Sequence, residues 1–233
     1  MKFFSMDSPF MQAMGKACDL LWLNILTIIC CIPIFTIGPA LTALHYVCLK
    51  IVRDEEQYIT KSYFKSFKQN FKQGVVLGLI FLVVALIIAI DIRVMYFTEI
   101  QIPSFFKLAI FAVIIPYLCT YMYVFPLLSK FENTVKDTIK NAFLISIMNL
   151  PKTGVMILML LFPIAVLKVS VRLFPIAALY CISAPAFVGA LMYNKIFMKM
   201  EKKYMEENAP EVVDEDEHIF SDEPIEEAEE SGK

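Results

Sequence analysis

Apolar residues fall in long runs along this chain, near 18–36, 74–97, 105–128, 154–174 and 176–198, with a shorter run at 38–52. A helix needs about 20 residues to cross the ~30 Å hydrocarbon layer. Five runs are long enough, and the sixth reaches the interface if Lys50 and Arg53 snorkel from its end. The polar positions between the runs are patterned as well. In KSYFKSFKQNFKQG, Lys61, Lys65, Lys68 and Lys72 recur at helical spacing, and Phe64, Phe67 and Phe71 form a second stripe beside them. This predicts a helix lying in the interface, with rings in the acyl boundary and lysines toward anionic headgroups. The segment 133–147 repeats the idea with Val135, Ile139, Ala142 and Phe143 beside Lys136 and Lys140; Pro9–Lys16, with Phe10, Met11 and Met14, reads as a shorter version. Each interfacial helix precedes two apolar runs. The chain therefore reads as a three-unit pattern, 7–52, 58–129 and 130–205, which gives six spans with both ends on one side.

Positive charge orients the spans. Six Lys and Arg lie in 50–73, four in 130–152 and four in 195–203, against two in 91–107 and two in 168–172. The rich segments are expected on the cytoplasmic face. One span before residue 50 would place the N-terminus outside, and a hairpin would place it inside, so the count stays at five to six.

Polar residues inside the runs carry the candidate chemistry. Thr36, Gly38 and Pro39 lie in the stretch TIGP, which reads as the tight connection of the first helical pair: Gly38 tolerates unusual backbone angles, and Pro39 suits the first turn of a following helix. The alternative is a broken helix whose free backbone groups bind a substrate. His45 sits in an apolar run, as a hydrogen-bonded structural histidine or a proton-linked one. Asn24 and Thr27, three residues apart, suit interhelical hydrogen bonds. Tyr117, Thr120 and Tyr121 share a helical face between Pro116 and Pro126, either as interfacial anchors or as a sugar-binding surface.

Composition agrees with a membrane protein. Of 233 residues, 58% are hydrophobic and 19% charged, against roughly 45–50% and about 25% in soluble domains; mean hydropathy is +0.65. Residues 1–205 carry 20 Lys and Arg against 10 Asp and Glu, while 206–233 carry 1 against 13. The last segment is expected to be a disordered acidic tail, either solvating or offering the island His218–Phe220 to a partner. Six cysteines lie in or beside apolar runs, and His45 and His218 are the only histidines, so no disulfide framework, zinc cluster or other metal site is expected. No phosphate-binding glycine motif and no paired intramembrane carboxylates are present. No catalytic residue, cofactor or nucleic-acid partner is expected.

The run PIFTIGPALTALHYVCLKIVRDEEQYITKSYFKSFKQNFKQG, Pro33 to Gly74, resembles the signature of the YesL-like bacterial integral membrane proteins, a domain of unknown function; DLLWLNIL and NAFLISIMNLPKTG are also similar to its pattern. The resemblance covers roughly residues 7–205. It implies an integral membrane protein associated with carbohydrate uptake or utilisation, with ABC transporter subunits or a sensor kinase as candidate partners, and no established reaction; the run lengths and the lysine-rich 195–203 add the expectation of a multi-pass plasma-membrane protein with a cytoplasmic C-terminus. The expectation is an all-α polytopic membrane protein, a transmembrane helical domain over 1–205 and a tail over 206–233. Its function is expected to be that of a non-enzymatic accessory component of a carbohydrate system, or alternatively a small-solute transporter or channel.

Overall fold

The structure is a computed structural model and describes residues 9–55, 58–97, 104–169 and 179–207. The acidic tail beyond residue 207, the loop 98–103 and the start of the run 176–198 lie outside the described residues. The chain divides into two compact units, Met1–Ile196 and Phe197–Lys233. In the second, residues 197–207 continue the last helix, and Lys202 lies 3.8 Å from Glu206 one turn on.

Among the described residues every element is helical: α1 (Pro9–Cys30), a 3-10 turn (Ile34–Thr36), α2 (Ile37–Val52), α3 (Ile59–Gln69), α4 (Phe71–Phe97), α5 (Ser104–Lys130), α6 (Val135–Met148), α7 (Leu150–Val169) and α8 (Ser183–Glu207). Four helical stretches are long and apolar enough to cross a membrane: Phe10–Cys30, Ile34–Val52, Phe71–Met95 and Leu108–Lys130. The pair Val135–Met148 and Leu150–Leu161, bent by 104°, raises the number to five if it is one broken span. The chain is thus a multi-pass, all-helical membrane protein, with four to five candidate spans among the described residues where the pattern predicted five to six. The expected run 176–198 supplies no candidate of its own there, because α8 is described from Ser183 and continues into its charged end at Glu207.

Two sequence boundaries move. Pro9–Lys16 is not a separate interfacial helix, since α1 runs without interruption to Cys30. Nor is TIGP the connection of the first pair. The chain turns at residues 31–33; Thr36 ends the 3-10 turn, and Ile37, Gly38 and Pro39 begin α2. Pro33 lacks an N–H and cannot continue α1, so the break falls there. The Thr36 hydroxyl lies 2.6 Å from the carbonyl oxygens of both Cys30 and Pro33 and shares its one proton between them; the Cys30 carbonyl is one that the end of α1 leaves without a helical partner.

Helix α2 is the centre of the packing. Ten of its sixteen residues are buried, and it touches α1, α3, α4 and α5. Its crossing with α4 explains the glycines. No glycine among the described residues has positive φ, so Gly38 is not needed for an unusual backbone angle. It is needed for proximity: a Cβ there would lie 1.9 Å from the Gly74 carbonyl oxygen, and one on Gly78 would lie 2.9 Å from Gly38 Cα. Gly74 and Gly78, four residues apart, let the two backbones meet as small residues do in membrane helix pairs. The 3-10 turn packs on α4 as well. Ile34 and Ile37 share a cavity of about 160 Å³ with Gly78, Leu82 and Ala85, the middle of the 71–95 stretch.

The two amphipathic helices end alike. Asn70 follows α3, and its side-chain amide donates to the Ser66 carbonyl at 3.1 Å; Asn149 follows α6 and donates to the Ile145 carbonyl at 3.1 Å. Each caps a terminal carbonyl and lets the next helix start at once in a new direction. Gln73 Nε2 ties the first elbow to the Asn133 carbonyl at 3.1 Å. Thr153 Oγ1 ties the second to the Ser146 carbonyl at 3.0 Å.

Candidate functional site

Helix α3 reaches the body through a face that the phenylalanine stripe did not suggest. Ser62, Tyr63 and Ser66 are buried. The Tyr63 hydroxyl donates to the Ala40 carbonyl at 3.4 Å, and Lys50 Nζ donates to Ser62 Oγ at 3.2 Å. Burial pushes the Tyr63 phenol up, well above its ordinary range, so it stays a donor. Small hydroxyls one turn apart allow close approach to α2, whereas Phe64, Phe67 and Phe71 remain on the partly exposed side. Lys61, Lys65, Lys68 and Lys72 are all exposed. In α6 the buried residues are Thr138, Ala142, Ile145 and Ser146, and Phe143 is exposed.

A cavity of about 320 Å³ lies between the α1–α2 turn and helices α2, α5, α7 and α8. Helix α2 lines it with Ile37, Leu41, Leu44 and His45, one helical face; α5 adds Tyr121, Met122 and Phe125. Helix α7 contributes Met156, whose tip stands against Gly189 of α8 so closely that a Cβ there would lie 3.3 Å away. Cavities of about 150 Å³ hold benzene, so this one has room for a ligand roughly twice that size.

The predicted polar residues are distributed unevenly around it. His45 lines the cavity, and its Nδ1 lies 3.2 Å from the hydroxyl of buried Tyr193 on α8, ring edge against ring. Tyr121 also lines it. Its ring stacks on Tyr117 at 6.2 Å and meets Phe81 and Phe125; Tyr121, Phe125, Ile37 and Leu41 form the wall shared with the 160 Å³ cavity. The other members of the predicted tyrosine face turn away: Tyr117 donates to the Phe81 carbonyl at 3.1 Å, and the Thr120 hydroxyl donates to its own helix at the Pro116 carbonyl. The face is therefore split, and only Tyr121 presents a hydroxyl with no hydrogen-bond partner among the described residues.

Asn24 holds the site together without lining it. Its Oδ1 accepts the backbone N–H groups of Ile182 and Ser183 at 3.2 and 3.3 Å, capping the start of α8. Thr27 bonds back to the Leu23 carbonyl. Sequence patterning missed Tyr193, Met156 and Cys181, whose neighbours are remote in the chain, and it missed the buried Ser183 Oγ, which has no hydrogen-bond partner among the described residues. Among the described residues no group of three His, Cys, Asp or Glu could hold a metal ion. The arrangement offers an apolar chamber with one imidazole and one phenol, enough to orient a small amphiphile.

No curated protein and no solved structure matches the chain. Residues 20–92, from α1 through α4 and including the glycine crossing and the lysine helix, match the model of a family described as a protein of unknown function, DUF624.

Proposed function

We propose that this is a multi-pass protein of the bacterial plasma membrane that serves a carbohydrate uptake or utilisation system as a non-enzymatic accessory component. Its C-terminus and the lysine face of α3 lie on the cytoplasmic side, against anionic headgroups, and its partners are ABC transporter subunits or a sensor kinase. The carbohydrate association rests on the resemblance of Pro33–Gly74 to the YesL-like proteins. The observation that supports an accessory role rather than sugar conduction is the chemistry of the 320 Å³ cavity. A monosaccharide carries about five hydroxyls, and each buried polar group left unbonded costs about 1–3 kcal/mol; His45 and Tyr121 offer partners for two.

The experiment is gentle solubilisation of native membranes, copurification on the full-length chain and mass spectrometry of the bound proteins. Stoichiometric recovery of a permease subunit or a sensor kinase is expected. Recovery of neither, under conditions that keep other membrane complexes intact, would overturn the accessory reading.

A second reading, transport of a small amphiphilic solute, is favoured by the partnerless Tyr121 hydroxyl in that cavity. Flux into proteoliposomes holding only this chain, lost in Tyr121→Phe, would establish it.

A further inference from the structure

A groove of about 720 Å³ runs between α1 and α3. Trp22 lines it from α1, and Lys61, Lys65 and Lys68 line it from α3. These three ammonium groups are exposed and make no ion pair or hydrogen bond with any described residue, although Asp19 lines the same groove. The start of α3 opens into the groove too, and the side chain of its N-cap residue, Tyr58, makes no capping hydrogen bond; the N–H groups of a first helical turn add a positive field. Trp22 Nε1 donates to Thr60 Oγ1 at 2.9 Å, which locks the two walls together. Phe64 and Trp22 present exposed apolar ring surface to the same groove.

The depth of the groove follows from the same contacts. Trp22 lies near the middle of the Phe10–Cys30 stretch. If α1 were centred in the bilayer, the hydrogen bond to Thr60 would draw the start of α3 and its lysines into hydrocarbon, at about 2.5–3.5 kcal/mol for each charge. Placing Trp22 and Tyr58 at the interface instead, where tryptophan and tyrosine concentrate, sets the lysines at headgroup level. Lys16 and Asp54, paired at 2.8 Å, then lie on the aqueous side.

We propose that this groove is a built site for one anionic glycerophospholipid of the cytoplasmic leaflet, its phosphate held by Lys61, Lys65 and Lys68 and its glycerol and upper acyl chain along Trp22 and Phe64. The inference rests on the reading of α3 as lying at an anionic surface and adds a defined stoichiometry and a defined residue set. Lys72 separates the two. It belongs to the lysine stripe but does not line the groove, so diffuse attraction involves it as much as the others, and a built site does not.

The test uses the full chain in detergent micelles, with native mass spectrometry counting retained dioleoyl phosphatidylglycerol against dioleoyl phosphatidylcholine. One phosphatidylglycerol retained in preference is expected. The variant with Lys61→Gln, Lys65→Gln and Lys68→Gln should lose that preference by roughly 100-fold, from about fivefold per basic residue, while Lys72→Gln keeps it and the triple arginine variant restores it. An equal loss in Lys72→Gln would overturn the built site and leave the interfacial reading standing. Equal retention of both lipids by the wild type would overturn the site, and failure of the chain to prefer anionic over neutral vesicles would remove the interfacial reading as well. Displacement of the lipid by an equimolar amount of glycerol phosphate would overturn the assignment to a lipid in favour of a soluble phosphate ester.

Discussion

Gly15 and Gly38 are both helical, yet alanine should move stability in opposite directions at the two positions. Nothing lies within 4 Å of a Cβ built on Gly15, whereas on Gly38 it meets the Gly74 carbonyl at 1.9 Å. Gly15→Ala removes backbone freedom from the unfolded chain and should stabilise by about 0.5–1 kcal/mol. Gly38→Ala forces α2 and α4 apart and should cost about 3 kcal/mol, the upper part of the overpacking range. Melting midpoints in one detergent check both, and an unchanged midpoint for Gly38→Ala would refute the backbone contact. Asn24→Ala should cost about 1–2 kcal/mol by removing the cap of α8, visible in the same measurement. These roles differ in legibility. A polar residue in an apolar run is visible in sequence; that Asn24 caps a helix 158 residues away is not.

At the scale of elements, the α1–α2 hairpin is where length and packing disagree. Each helix is long enough to cross, but their connecting turn packs beside Gly78–Ala85, the middle of α4, and Trp22 ties the centre of α1 to the lysine helix. A hairpin that enters from the cytoplasmic side and turns at half depth satisfies both contacts. Its turn is apolar, and Thr36 satisfies its carbonyls: the backbone N–H donates to Pro33, and the hydroxyl reaches Cys30. In a cysteine-free background, Ile32→Cys, 76% exposed in the fold, should resist impermeant thiol reagents from both sides and react with a membrane-permeant one. Labelling from outside as fast as Asp91→Cys would show that α1 and α2 cross completely. The run lengths that suggested a span at 18–36 carry no information about depth, because any apolar helix of that length satisfies them.

At the scale of the molecule, α4 and α5 hold two of the stretches long and apolar enough to cross a membrane. Their exposed Val83, Ile87, Ile90, Phe105, Leu108 and Phe111 form an apolar surface that water would not tolerate and lipid does. If α3 lies on the cytoplasmic face, as proposed, Asp91→Cys at the far end of α4 should react with an impermeant reagent in intact cells, and Glu132→Cys after α5 only once the cells are opened. The reverse labelling would invert the topology.

Membership of the membrane class, the lysine stripe and the amphipathic segments before α4 and α7 were determined by the sequence alone. They are properties of composition and of periodicity within one helix, where every relevant neighbour lies within a turn or two. Tertiary structure decided the rest: that Gly38 exists for contact rather than for a turn, that Tyr121 parts company with Tyr117 and Thr120, that His45 meets Tyr193 across 148 residues, and that three of the four lysines of one helical stripe share a groove. Such pairings depend on which helices cross and at what depth. That is set by the close approach of Gly38 to Gly74 and Gly78 and by the elbows at Asn70 and Asn149, not by any repeat along the chain.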